Sequence, residues 1–193
     1  MLTSAIQKSH AGVIVAPVYA ARAATLLRGS GVRLGVTVGF PHGTAKPTLK
    51  AIEATSSIKD GVDEVFVAAH LVPLIAGDAD AAKVELMEIV RAARATRRDV
   101  GIHVIVETAL LMSLGQGRNE RAMLAACRAV RESGCDGMVT TSGFHPSGGT
   151  GADALAMLKQ HGEGLTITAM GGVPNATVAE AMIGAGADRA VIQ

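Results

Sequence analysis

The chain has 193 residues, of which 49% are apolar and 23 are glycine, with only three Phe, one Tyr and no Trp, and a formal net charge of +1. That length suits one domain with a sizeable aliphatic core, while the near-zero charge and the lack of stacking aromatics argue against nucleic acid as a partner. No stretch of 18 apolar residues offers a membrane span, Met1–Ala11 has no signal-peptide core, and Cys127 and Cys135 make no disulfide framework, which points to a reducing, cytoplasmic setting.

Taken in order, Val13–Pro17 is a compact β-branched run and reads as a strand. Tyr19–Arg28 has helical spacing and ends at Gly29-Ser30-Gly31, a C-terminal cap signal. Arg33–Phe40 is the next strand, followed by the loop Pro41-His42-Gly43-Thr44. Pro47–Lys59 reads as a helix with Pro at its start, where a missing N–H costs least. Asp63–His70 is a strand. Asp80–Arg98 is a long helix with Val84, Met87, Ile89 and Val90 as its apolar positions. The alternation continues through strand Gly101–Thr108, helix Asn119–Glu132 capped by Ser133-Gly134, strand Gly137–Thr141 and helix Gly151–His161. It ends with strand Leu165–Met170, helix Asn175–Ile183 and strand Ala187–Ile192. Strands alternating with helices throughout imply one parallel sheet with right-handed crossovers. No GxGxxG opens a helix after a strand, so a dinucleotide-binding reading lacks its phosphate loop. Gly61-Val62-Asp63, Gly134-Cys135-Asp136 and Gly186-Ala187-Asp188 recur before strands and read as a repeated helix-to-strand turn.

The run Gly137-Met138-Val139-Thr140-Thr141-Ser142-Gly143-Phe144 is a buried strand entering a glycine loop. It resembles the signature strand of the deoxyribose-phosphate aldolases, a Schiff-base family with a (β/α)8 barrel. Val36–Gly43 is similar to that family's third-strand motif, Gly61–Val65 to its approach to strand four, and Val104–Thr108 to its fifth strand. Ala169-Met170-Gly171-Gly172-Val173 is similar to its seventh-strand diglycine, and Gly184–Arg189 to its approach to the last strand. The resemblance runs from about Gly12 to Arg189. It implies a TIM-barrel derivative with parallel strands, a single domain over residues 1–193, without the usual first strand or the segment after strand eight. A barrel open at that point would expose sheet edges near Val13–Val15 and Ala190–Ile192, and such edges are normally covered, which implies a homo-oligomer.

The departures from the family pattern fall on its chemistry. The resemblance places the imine-forming lysine at Val139, the lysine that tunes it at Thr168, and the proton-relaying aspartate at Phe66. The chain's six lysines, Lys8, Lys46, Lys50, Lys59, Lys83 and Lys159, all fall outside the predicted strands and are expected to be solvated. A Schiff-base lysine needs desolvation and a nearby cation. Pro174 stands where the family's phosphate site usually has an Arg, although Gly171 and Gly172 remain.

Alternate strand residues face a barrel interior. On that parity Phe66, Ala68 and His70 share a face, as do Val139 and Thr141, and His103 and Glu107. The expected site lies at the C-terminal mouth, where barrels keep their chemistry. Phe66 and Val139 form its floor, and His70, His42, Glu107, Thr141 and Thr168 are its candidate acid–base groups. Thr140, Ser142, Gly143, Gly171 and Gly172 are its candidate substrate contacts. His103, nearer a strand start, reads as structural, and His145 as solvated. Each rim residue also has a structural reading: His42 packing beside Pro41, His70 capping the next segment, Glu107 hydrogen-bonding. His42, His70 and Glu107 lack tight ligand spacing, so neither a metal nor another cofactor is implied. Two functions fit. One is an aldolase-like lyase, cyclase or isomerase acting on a small carbonyl compound by His/Thr/Ser acid–base chemistry without a Schiff base. The other is an inactive homologue that binds a ligand or partner.

Overall fold

The computed structural model describes residues 2–115 and 117–193. It contains one seven-stranded sheet in which every neighbouring pair is parallel and strand order follows chain order: β1 (Gly12–Val15), β2 (Arg33–Val38), β3 (Glu64–Ala68), β4 (Gly101–Ile105), β5 (Gly137–Val139), β6 (Thr166–Ala169) and β7 (Arg189–Ala190). Helices cover the outer face: α2 (Ala20–Leu27), α3 (Pro47–Lys59), α5 (Ala79–Thr96), α7 (Arg118–Ser133), α8 (Ala152–His161) and α9 (Ala176–Gly184). A short α1 (Leu2–Gln7) precedes β1. The expected α/β architecture of parallel strands is therefore present, and the chain's sequential order is that of a barrel wall rather than a doubly wound sheet.

The main core lies between sheet and helices. It is aliphatic, with Val36, Val38, Val65, Val67, Ile102, Val104, Met138 and Ile167 from the strands meeting Ala54, Ile58, Leu86, Ile89, Met123, Ala126 and Leu155 from the helices. Within α5 the apolar stripe differs from the expected one. Val84 and Met87 face solvent at 68% and 40% exposure, and Ala82, Glu85, Leu86, Ile89 and Ala93 are buried. The inward face passes through an ionisable residue, Glu85, which hydropathy alone cannot show.

Two short helices break the expected pattern. α4 (Leu71–Ala76) and α6 (Thr108–Met112) begin soon after β3 and β4, which end at Ala68 and Ile105 and not at the expected His70 and Thr108. Hydrogen bonding explains the overreach: beyond the strand ends Ala69 N still donates to Ile105 O, Val106 N to Val139 O, and Thr108 N to Thr140 O. The chain leaves the sheet at Glu107, whose φ of 55° is left-handed. A backbone of that kind in a non-glycine residue costs free energy and persists only where its surroundings hold it.

The three Gly-x-Asp turns have one structural role. Asp63, Asp136 and Asp188 each grip the neighbouring strand twice. Their backbone N–H groups donate to Leu34 O, Ile102 O and Ile167 O, and their carboxylates accept from the N–H groups of the same residues at 2.8, 2.7 and 2.8 Å. The recurrence read in the sequence is thus a repeated clip between adjacent strands.

Across the concave face the sheet curls. Arg189, first residue of β7, reaches Glu64, first residue of β3, with both carboxylate oxygens 3.0 Å from Nη1. Arg33 adds a contact at 3.1 Å, and His103 Nε2 lies 3.7 Å from Glu64 Oε1, an electrostatic contact too long for a hydrogen bond. Burial works to raise the Glu64 carboxyl, but His103, Arg189 and Arg33 outweigh it and bring the group from 4.5 down to about 2. Within the described residues β1 and β7 pair only with β2 and β6, so the curled sheet is open between them.

A depressed folded-state value contributes stability that is fully present above 4.5 and is lost as pH falls toward 2. Denaturant titrations of the wild type should therefore lose up to about 3 kcal/mol across that window from this group. Glu64→Gln should be less stable at pH 7 and show a shallower loss in acid; an unchanged acid limb in the variant would contradict the assignment.

Candidate active site

Above the Glu64 layer, the concave face carries a second, smaller apolar cluster. Phe66, Ile105, Val139 and Met170 are buried in it, and Ile14, Phe40 and Val191 pack against it from β1 and from the chain just beyond β2 and β7. Phe66 and Val139 thus share one apolar cluster on the concave face. Phe66 also stacks on His103, with ring centroids 5.2 Å apart. A Cβ at Gly35 would lie 2.5 Å from the Phe66 ring, so the neighbouring strand must be glycine there. His103 is 4% exposed in this lower layer, the structural position expected of it.

The hydroxyl groups are placed differently from the expected rim. Thr140, Thr141, Ser142 and Thr168 are all buried, and their oxygens are used within the protein. Thr140 and Thr141 donate to Met170 O at 3.0 and 2.8 Å, and Thr150 donates to the same carbonyl at 2.7 Å. Ser142 Oγ accepts from Phe144 N, and Thr168 Oγ1 accepts from Arg189 Nε at 3.3 Å. These contacts lock the loop after β5 to the loop after β6. Gly171 has to be glycine for it: its φ is 78°, and a Cβ would sit 1.9 Å from Thr141 Oγ1. Gly143 and Gly172 share the left-handed region, at 82° and 74°. Thr168 is paired in register with Val139 of β5 on one side and Arg189 of β7 on the other.

Glu107 is buried at 3% exposure and lies past the end of β4, so it does not share a strand face with His103. Its Oε1 accepts from Ser142 N at 2.9 Å, while Oε2 and the neighbouring Thr108 Oγ1 have no protein partner. A buried polar oxygen without a protein partner calls for a water or another polar group.

Of the candidate acid–base groups only His42 and His70 are exposed. β3 ends at Ala68, so His70 does not continue the strand face; it stands at the N-terminal boundary of α4 without a side-chain capping bond. His42 lies on the loop after β2, and that loop rests on the end of β3: a Cβ at Gly43 would lie 2.0 Å from Ala69 O. The two histidines therefore stand on adjoining segments at the C-terminal end of the strands. His145 is half-buried rather than fully solvated, and its Nδ1 accepts from Ser147 N. Among the described residues no three His, Cys, Asp or Glu side chains converge, and His42, His70 and Glu107 form no ligand set.

Lys50 corrects the expectation that every lysine is solvated. It is completely buried in α3, and its ammonium donates to Ala68 O at 2.8 Å and pairs with Glu85 of α5. Glu85 Oε2 in turn accepts from His70 N at 3.3 Å. The Lys50 stem fills the space under Gly39, whose N–H donates to Glu53 at 2.7 Å. One buried ion pair thus holds the backbone on which His70 stands and supports the loop that carries His42. It ties α3 and α5 to the end of β3. The residue type was visible in the sequence, but its partner lies 35 positions away in another helix.

The thiols supply no nucleophile. Cys127 and Cys135 are free and buried, and burial pushes each up to about 11. A surface groove of about 450 Å³ lies on the outer side of the sheet beside Pro17, Leu49, Ile52 and Asp60 and shares no residue with the mouth.

No protein-family profile matches the chain. The deoxyribose-phosphate aldolase of Thermoanaerobacter sp. (strain X514) is 32% identical over 189 residues, covering 98% of this chain and 81% of that protein. Among solved structures, the aldolase QR15 superposes with a TM-score of 0.85 at 28% identity, over 98% of this chain and 80% of that one. The tetrameric deoxyribose phosphate aldolase of Aeropyrum pernix superposes at 0.84 with 24% identity, over 98% and 76%, a likeness of fold.

Lys50→Met should cost about 3–5 kcal/mol in urea denaturation, because it strands Glu85 as a buried charge. Lys50→Met combined with Glu85→Gln should recover most of that loss. A single variant as stable as the wild type would contradict the pairing.

Proposed function

Since the chain belongs to the deoxyribose-phosphate aldolase family, we propose that it acts on a small carbonyl compound by proton transfer without forming an imine, as a lyase, cyclase or isomerase. The observation that carries this reading is the setting of Val139. The family resemblance puts the nucleophilic lysine there, and here the side chain is fully buried against Phe66, Ile105 and Met170. The buried amine in the neighbourhood of the strand ends, that of Lys50, is on the outer side of the sheet and neutralised by Glu85. Its bonds to Ala68 O and Glu85 commit it to the scaffold in this reading.

Proton transfer then falls to the exposed imidazoles. Histidine has an ordinary pKa near 6.5 and can both take and return a proton near neutrality. His70 and His42 are the groups assigned to it, with Glu107 orienting the loop after β5 through Ser142 N. The buried threonines act as scaffold in this scheme rather than as proton carriers. A dry floor of Phe66 and Val139 suits a weakly polar ligand better than a phosphosugar, because an anion there would be desolvated without a partner. A second reading, binding without turnover, is favoured by one observation: every hydroxyl oxygen of Thr140, Thr141, Ser142 and Thr168 is already engaged within the protein.

Borohydride treatment with acetaldehyde or deoxyribose 5-phosphate should leave no stoichiometric adduct on the protein, and Val139→Lys alone should not create an aldolase. On whichever carbonyl compound a thermal-shift screen identifies, His70→Ala or His42→Ala should slow turnover by about 10²-fold or more. Full turnover in both variants would remove them as proton carriers, and stabilisation by carbonyl ligands without any turnover would establish the binding reading. The open edges at β1 and β7 further lead us to propose self-association, for which sedimentation at micromolar concentration should show a species larger than a monomer.

A further inference from the structure

The chain contains only three phenylalanines, and all three are at this mouth. Phe66 lies in the floor. Phe40, just beyond β2, packs against the same floor cluster from above. Phe144, on the loop after β5, meets Phe40 edge-on, with ring centroids 5.4 Å apart and planes at 86°. β2 and β5 are three strands apart in the sheet, so this contact crosses the concave side and does not follow it. Phe144 is nevertheless 64% exposed, an unusual place for a large apolar ring. Its loop has a left-handed glycine on either side, Gly143 at 82° and Gly148 at 103°.

We propose that Phe40 and Phe144 form an aromatic gate over the mouth, and that the ligand it admits is an aryl ketone or aryl aldehyde held between these rings above Phe66 and Val139. The inference rests on the reading that a carbonyl ligand enters this mouth, and it adds the chemical class. A perpendicular pair presents one ring's face and the other's edge, the two surfaces to which a third aromatic ring is attracted. Phe144 can swing out at its glycines and close again on the ligand, burying apolar surface that is now wet. The carbonyl end would point to the rim, where His42 follows Phe40 by two residues. A phosphosugar finds no such complement: Arg189, 6.0 Å from the Phe66 ring, is already committed to Glu64.

The test is ligand-detected NMR titration of the wild-type chain with acetophenone, acetone and deoxyribose 5-phosphate. Ketone probes avoid adventitious imines on surface lysines. Acetophenone should bind saturably and at least tenfold more tightly than either other compound. Phe144→Ala should weaken it at least tenfold with an unchanged melting temperature, since the ring is mostly exposed, and Phe144→Tyr should stay within about threefold of wild type. Equal binding of acetophenone by Phe144→Ala and the wild type would overturn the gate, and tighter binding of acetone or the phosphosugar would overturn the ligand class. The two readings fail separately. His70-dependent turnover of an aliphatic carbonyl without acetophenone binding would sink the gate alone. Phe144-dependent acetophenone binding, with turnover indifferent to both histidines, would sink only the proton-transfer scheme.

Discussion

The ion pair between Arg189 and Glu64 holds the first residue of β7 against the first residue of β3, four strands away in a sheet whose neighbours all follow chain order. Seven parallel strands could otherwise lie as an open twisted layer. A guanidinium reaching across the concave side draws the sheet into a wall that encloses an interior. Such a pair is weak evidence for net stability, because both groups were desolvated to make it. Its larger consequence is register. A slip of one residue in β7 would turn Arg189 away from Glu64 and leave the carboxylate to Arg33 and His103.

That charged layer also explains how an apolar floor can sit above it. The polar requirements of the interior are met at the strand starts, so the next layer, Phe66, Ile105, Val139 and Met170, needs no polar partner. A lysine at 139 or an aspartate at 66 would be a buried ion with no counter-charge in its own layer, a costly arrangement unless both were present. Val139 and Phe66 accordingly belong to one apolar cluster in the interior. The Thr168 hydroxyl accepts from Arg189 rather than facing a ligand.

Polar order at the mouth is instead built into the backbone. Met170 O collects three threonine hydroxyls, Glu107 holds Ser142 N, and Lys50 with Glu85 holds Ala68 O and His70 N from outside the sheet. The loops that end β2, β3, β5 and β6 are thereby fixed by buried polar contacts, while His42, His70 and Phe144 project from them into solvent. A rigid scaffold carrying a few exposed reactive or aromatic groups is the arrangement that ligand sites require.

Local pattern and periodicity determined much of this from the sequence. The alternation of β-branched runs with capped helices, the Pro47 helix start, the Asn175 cap and the Gly134 stop all recur in the structure, because they depend on neighbours within a few residues. The Gly-x-Asp recurrence was legible as a repeat, and the shared inward face of Phe66 and Val139 was legible because strand parity is local too. The tertiary structure decided what depends on partners far along the chain. It buried Lys50 against Glu85, turned the hydroxyls of Thr140 and Thr141 to Met170 O, and ended β3 before His70. It also brought Phe40 and Phe144 into contact across 104 positions of sequence. A lysine in an amphipathic helix and a threonine at a strand end have the same local signature whether they meet water or a buried partner, and only the packed sheet distinguishes the two.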